Sequence, residues 1–452
     1  MLCPCHFGCG IVYPGKLPAL PGREAGYQTG IEEVLRVKKV IVEKAEPIQR
    51  IAATYPDVLE RLATRKKSGP EILNVGRIVP DLPLHPEVEK VASEHFREGL
   101  VWSPRPDAKL VGEFKELATG YIEERIGQKL DRFTAVAPIP GVKQGFLHLF
   151  LLYLEAKEKV FLPDPAFPFF RQAVFSAKGE AVPYSLYART DYLPNFDALD
   201  GLRGGPPKVL VLNYPHSPTG AAADRNFFEQ AVAWGSLKNV LVANDFTYGE
   251  LYYDQAPSVP LLSVPKAAKA AVEFFSFTHT FNLPAPKLGL AVGKREVVEN
   301  LESYIMSLGI YPSNFALRLG IELLKRRREI ISYHNQILAE RKKIVADGLA
   351  RLGWNFWRPK GGCFVWVEVP TRASSLAFAR KVLRKTGVLV YPGNYFGEAG
   401  EGYFRLSLAV PNEALSSVFV RLQAVFSSGP KKFKSLDKLR NRLFEKRDKQ
   451  SA

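Results

Sequence analysis

Five short apolar runs recur through the middle of the chain: "KVFLPD" (159–164), "KVLVLNYP" (208–215), "NVLVAND" (239–245), "VEFFSF" (272–277) and "LGLAVG" (288–293). Each has the length of a strand, and none alternates apolar with polar residues. A strand without alternation has to be covered on both faces, because an open face would put every second apolar side chain into water. Most of the runs are flanked by segments of helical periodicity, 224–238 and 296–308 among them. The pattern predicts an α/β fold, a mainly parallel sheet sandwiched by helices. From about residue 321, "IELLKRRREIISYHNQILAERKKIVADGLARLG" reads as one long amphipathic helix. "CFVWVEVP" and "YFRLSLAV" follow as strands with a helix between them, which suits a smaller α+β domain.

The ends of the chain read differently. Residues 1–30, rich in Gly, Pro and Cys, are expected to be an unstructured leader. Residues 31–70 carry helical periodicity (Val34, Ile41, Ile48, Ile51, Leu59, Leu62) broken by Pro47 and Pro56, and read as a helical extension. The expected division is then a large domain over 71–320, with an arm over 71–105, a small domain over 321–428 and a basic tail over 429–452. In that tail, residues 431–449 hold nine Lys/Arg against three Asp/Glu, a sizeable part of the net charge of +16. Leu436, Leu439 and Leu443 recur there at helical spacing. The tail is read as a solvated cap. Nucleic-acid binding is not expected, because the first 70 residues show no helix-turn-helix pattern.

The longest apolar run, "GFLHLFLLYL" (145–154), is too short to span a bilayer. The N-terminus has no signal-peptide pattern, so a cytoplasmic location is expected. Four cysteines argue against a disulfide framework. Cys3, Cys5 and Cys9 with His6 lack the paired spacing of a zinc site, so no metal is expected.

In a sheet of this kind ligands bind beyond the carboxyl ends of the strands. In "PIPGVKQGF", Gly141 precedes a helix whose first backbone N–H groups offer a seat to a phosphate. "PDPAFPFF" sets Phe167 in a proline-stiffened loop, where its face suits a flat heteroaromatic ring. "NYPHSPTG" (213–220) ends one strand, and "ANDFTYGELYYD" ends the next with Asp245 followed by Tyr248. A buried carboxylate there needs a cation, which a protonated pyridine nitrogen supplies. The Tyr248 hydroxyl is then placed for a phenolic oxygen on the same ring.

In this order, over roughly residues 71–425, these pieces resemble the class I/II aminotransferases among the fold-type I pyridoxal-phosphate (PLP) enzymes. "GRIVPDLPLHPEV" is similar to the family's substrate loop, with Gly76 at its glycine. "GVKQGFLHL" is similar to its phosphate turn, "DPAFPFF" to D-P-x-[YF]-P, "HSPTG" to N-P-T-G and "DFTY" to D-x-x-Y. "SFTHTFNLPAPKLG" is similar to S-x-[SA]-K followed by an arginine, and "GYFRLSLA" to the strand that carries the substrate-binding arginine. The resemblance implies the two-domain fold of that family, with a seven-stranded-type sheet, a homodimer and an amino or keto acid substrate. It implies that Asp245 pairs with the pyridine nitrogen, Tyr248 bonds O3′ and Phe167 stacks on the ring. It further implies phosphate contacts from Gly141, Val142, Lys143, Ser276 and Lys287, and a carboxylate clasp from Arg405.

Three positions depart from the family pattern. His279 stands for the Schiff-base lysine, Lys287 for an arginine and Ser217 for the asparagine that bonds O3′. Trp102 stands near the place of a tyrosine that the family supplies from the neighbouring subunit. An imidazole cannot form a Schiff base, yet its ordinary pKa of about 6.5 suits proton transfer near neutrality. A family of sugar dehydratases on the same fold resembles the chain at this one position, with a histidine for the lysine and pyridoxamine phosphate (PMP) in use. The expectation is therefore PLP or PMP held without a covalent bond, with His279 and Tyr248 as the catalytic pair. The alternative is a pseudo-aminotransferase with a binding or regulatory role.

Overall fold

The computed structural model describes residues 71–82, 85–97, 106–202, 204–253 and 257–426. The leader, the 31–70 extension, Trp102 and the basic tail lie outside them.

The strands, in chain order, are β1 (Leu73–Asn74), β2 (Thr134–Ile139), β3 (Lys159–Asp164), β4 (Glu180–Ser185), β5 (Val209–Leu212), β6 (Leu241–Asp245), β7 (Ala271–Ser276) and β8 (Gly289–Lys294). Then follow β9 (Phe356–Trp357), β10 (Phe364–Glu368), β11 (Val388–Leu389), β12 (Tyr391–Pro392) and β13 (Tyr403–Ser407). Seven of them form one sheet in the order β2-β8-β7-β6-β5-β3-β4. Its centre is parallel, and β8 runs antiparallel to both of its neighbours. β5 and β7 are buried along their whole length, as unbroken apolar runs require. The two edge strands escape that pattern: β2 carries Pro138, β4 carries Pro183, and most of β4 is open on one side. Proline cannot donate to a ladder and so is tolerated at edges.

A four-stranded antiparallel sheet, β12-β13-β10-β9, sits C-terminal to the large one. β1 pairs in parallel with β11, and Ser407 N donates to Val75 O (2.7 Å), which straps residues 73–75 onto this second sheet.

The long helix expected from residue 321 is two helices, Asn314–Lys325 and Arg327–Leu352, separated at Arg326. The break falls in the run Lys325–Arg328, where four like charges crowd one turn. Arg326 turns back onto Glu322 (2.6 Å), while Arg328 reaches Glu124 (2.7 Å). Lys325 shares Glu322 with Arg326, and Arg327 shares Glu124 with Arg328, so the two sides of the break turn to different carboxylates.

Helix Val142–Tyr153 lies close against the sheet because Gly145 has no side chain; a Cβ there would sit 2.7 Å from Ile139 and 2.8 Å from Phe274. Beside it Phe146 is fully buried among Phe274 (ring centroids 4.4 Å apart), Phe170 (5.0 Å) and Phe150 (5.9 Å). Among the described residues no helix is long and apolar enough to cross a membrane.

Candidate functional site

The carboxyl ends of β2, β3, β5, β6 and β7 bring the strand-end residues toward one cleft, and β13 of the second sheet supplies its far wall. Asp245 ends β6 and is buried. Thr247 N donates to its Oδ1 (2.9 Å), and Asn213 Nδ2 donates to its carbonyl (2.9 Å). Burial pushes its carboxyl up to about 6, against the pull of the Thr247 bonds and of the Lys143 charge. Asn213 also accepts from Ser217 N (2.9 Å), so the 213–217 turn is tied to the strand that carries Asp245. Ser217 Oγ is buried without a hydrogen-bond partner of good geometry, although it lies near enough to the Tyr248 hydroxyl to favour its ionised form. Burial dominates at Tyr248 and raises its phenol, which is therefore a neutral donor.

His279 stands on the single turn Phe277–Thr280 that follows β7 and buried Ser276. This turn is held from three sides. Phe277 N donates to Leu288 O (3.2 Å), His334 Nδ1 donates to Thr280 O (3.2 Å), and Asn282 Oδ1 accepts from Leu82 N (3.2 Å). The half-buried imidazole faces the Tyr248 ring at 5.0 Å between centroids. Crowding by protein atoms, then the charges of Lys143, Lys287 and Arg405, push it down to about 4. Three cations thus act on one neutral base.

Gly141 opens helix Val142–Tyr153 at φ 85°, a left-handed conformation in which L side chains are strained. No side chain caps this helix end, so its first N–H groups and dipole are open to an anion. Val142 turns its side chain into the core and offers only its backbone. Lys287 borders the same end, its Cβ 3.9 Å from where a Gly141 Cβ would be, and its Nζ donates to Pro284 O (2.6 Å). Lys143 is an exposed side chain, yet its amine is pushed down by the surrounding cleft and by Lys287, while Asp245 pulls it up. Its Nζ lies 4.8 Å from the centre of the Phe167 ring. Its charge thus lies over the aromatic face while it also feels Lys287 at the helix end.

Arg405 is buried on β13, with Nη2 donating to Gly76 O (2.9 Å) and Nε unpartnered. Phe396, Tyr391 and Phe364 surround its guanidinium at 4.5, 5.6 and 5.7 Å. Gly76 is required there, since a Cβ would fall 2.1 Å from the Tyr391 ring.

Two further residues frame the site. His216 is fully buried: its Nε2–H donates to Pro165 O (3.0 Å) and its Nδ1 accepts from Thr219 (2.8 Å). It thereby fastens the turn bearing Ser217 to the loop bearing Phe167. Asp164 accepts from Glu398 N (3.2 Å) and Ala399 N (3.1 Å), and Ala166 N donates to Phe396 O (2.7 Å). That joins the Phe167 loop to the wall beside Arg405. "HSPTG" and "PDPAF" contain these residues, but nothing in their spacing reveals what they touch. Among the described residues no group of His, Cys, Asp and Glu side chains is placed to hold a metal ion.

The buried histidines set a pH dependence. His216 is pushed down to about 3 by burial, whereas unfolded histidine titrates near 6.5. Between those values only the unfolded chain takes up the proton, so the contribution to stability, fully present above pH 6.5, is lost as pH falls. Asp245 and Glu273, raised by burial to about 6 and about 7, act oppositely: their stabilising protons leave as pH rises through those values. Subtracting a His216→Gln variant isolates the histidine. Denaturant titrations should show wild type losing about 3 kcal/mol relative to that variant between pH 6.5 and 4, and parallel pH curves would refute the assignment.

The family profile for aminotransferase class I and II matches residues 81–422. An LL-diaminopimelate aminotransferase of Moorella thermoacetica is 30% identical over 373 residues, covering 82% of this chain and 95% of the relative. The enzyme of the same name from Maridesulfovibrio salexigens is 31% identical over 383 residues, with 82% and 97% covered. A solved structure titled as a probable N-succinyldiaminopimelate aminotransferase from Thermus thermophilus superposes with a TM-score of 0.72 at 26% identity, over 84% of this chain and 100% of that one. Matching over most of its length in profile, sequence and fold, and carrying these strand-end residues in one cleft, the chain belongs to the class I and II aminotransferases, whose members use pyridoxal 5′-phosphate.

Proposed function

We propose that the chain holds PLP or PMP without a covalent bond, and that it exchanges an amino acid and a keto acid with His279 as the proton carrier. The observation that carries this reading is the convergence on His279 of Lys143, Lys287 and Arg405, with buried Asp245 also in the cleft. Two anions are called for, a phosphate between the lysines and a carboxylate at Arg405. One cation is called for at Asp245.

The residues present fit such a cofactor. Asp245 has no hydrogen-bonded cation, buried Ser217 Oγ and Arg405 Nε lack partners, and the helix opening at Val142 is uncapped. Asp245 would hold the ring nitrogen, Tyr248 and Ser217 would bond the ring oxygen, and Phe167 would lie against the ring face. Lys143, Lys287, Ser276 and the N–H groups at Val142 would hold the phosphate. The bound cofactor supplies an electron-withdrawing ring that acidifies the substrate α-carbon. Arg405 fixes the substrate carboxylate through its planar fork of donors, with Gly76 leaving room beside it. His279 would take the proton from that carbon and give it up again from the same imidazole, so that one group serves as base and then as acid. Neutralising the three cations with bound anions removes the charge part of the downward push on its imidazole, while burial, the larger cause, remains.

The reading extends to a cytoplasmic homodimer, as is usual for the family. The names of the relatives make LL-diaminopimelate the first amino acid to try. The second reading, a binding or regulatory protein without turnover, is favoured by the imidazole itself, which cannot make the family's covalent link.

The test is the absorbance of the purified protein titrated with PLP and with PMP, followed by borohydride reduction, peptide mapping and a panel of amino and keto acids. A perturbed spectrum, no labelled peptide and amine transfer are expected. Binding without transfer selects the second reading. A spectrum unmoved by either vitamer overturns the first.

A further inference from the structure

Phe167 and Phe169 stand stacked, 6.2 Å apart at 27°, both half-buried. Lys143 Nζ hangs over both, 4.8 Å from the first and 5.9 Å from the second. The Phe167 face is the surface on which a flat ring would lie, so cation and ring need the same space. Lys143 is also the second residue of a helix whose uncapped end faces Lys287. Its flexible stem therefore joins two alternatives. One is the aromatic face, within the field of Asp245; the other is the anion seat at the helix end, where without an anion Lys287 repels it.

We propose that Lys143 is a specificity-determining residue: in the free protein its ammonium holds the aromatic face that a bound pyridine ring needs, and only a ligand bringing its own phosphate gives that ammonium a new partner as it leaves. The inference rests on the vitamin-B6 reading of the site and deepens it. With a phosphorylated vitamer every lost interaction is replaced. The ring takes over the contact with Phe167, the ring nitrogen takes over the charge beside Asp245, and Lys143 swings to the phosphate. An unphosphorylated vitamer replaces the first two and leaves the ammonium beside Lys287 with no anion. Discrimination then exceeds what phosphate contacts alone would give, because the poor ligand also works against an occupant.

Dissociation constants for PMP and for pyridoxamine, measured at one salt concentration for wild type and for K143A, K143S and K287A, test this. K143A should bind PMP about tenfold or more weakly, through loss of a charge-assisted contact. It should bind pyridoxamine about three- to fivefold more tightly, the scale of an exposed cation–π contact. K143S should behave alike, which guards against one variant folding poorly. K287A should weaken PMP, and any tightening of pyridoxamine should be smaller than in the Lys143 variants, since Lys143 still holds the Phe167 face. A wild type that binds PMP, with pyridoxamine affinity unchanged or weaker in both Lys143 variants, overturns the proposal while leaving the reading of the site intact. A wild type that binds neither PMP nor PLP overturns that reading and this inference together.

Discussion

Replacing His279 with alanine should slow amine transfer by about 10²–10⁴-fold while leaving PMP affinity nearly unchanged. The imidazole is a neutral base in a cleft that also holds two ammoniums, a guanidinium, the neutral Tyr248 phenol and the buried Asp245 carboxyl. Of these Asp245, raised to about 6, also titrates near neutrality, but it is assigned to the ring nitrogen. Affinity should survive because ring, phosphate and carboxylate are assigned to other side chains. The companion variant, His279→Lys, restores a primary amine on the turn after β7, so borohydride should fix PLP to residue 279 in that variant alone. Single-turnover kinetics with PMP and a keto acid read the first effect, and peptide mapping reads the second. An alanine variant that transfers at the wild-type rate would exclude His279 from the chemistry.

Phe146→Ala is expected to cost about 3–5 kcal/mol of folding stability, the range for emptying a buried aromatic site. Phe146 has no solvent contact and meets Phe150, Phe170 and Phe274, so its neighbours are rigid rings that cannot collapse into the gap. It also presses helix Val142–Tyr153, the element that opens the anion seat, against β7. The loss should therefore appear in two places: a lower urea midpoint and weaker phosphate protection against denaturation. A stability loss below about 1 kcal/mol would mean that the cluster repacks.

Much of the fold was legible in the chain because burial on both faces leaves a plain mark. β3, β5, β6, β7 and β8 are the apolar runs themselves. β2 and β4 were not, because an edge strand is wet on one side and accepts proline, as at Pro138 and Pro183. The break at Arg326 was hidden by a periodicity that continues through it; the carboxylates that draw the arginines apart, Glu322 and Glu124, belong partly to another helix. In the site, residue types at strand ends were readable in order, since β2, β3, β5, β6 and β7 all run the same way and end on one side of the sheet. The placement of Lys143 over Phe167 and the clamp made by His216 depend on side chains from different loops meeting, which no spacing encodes.

The strap at residues 73–76 carries a consequence for how the protein is made. Gly76 O and Arg405 are 329 positions apart, and β1 rests on β11 through two residue pairs. Joining ends that distant is a late, entropically expensive event, and so small a clip gives it little hold. A ribosome-bound chain that has finished its large sheet would still lack a seat for a carboxylate. During refolding, competence to grip substrate should trail the appearance of secondary structure, making the ligand itself the reporter of the final closure.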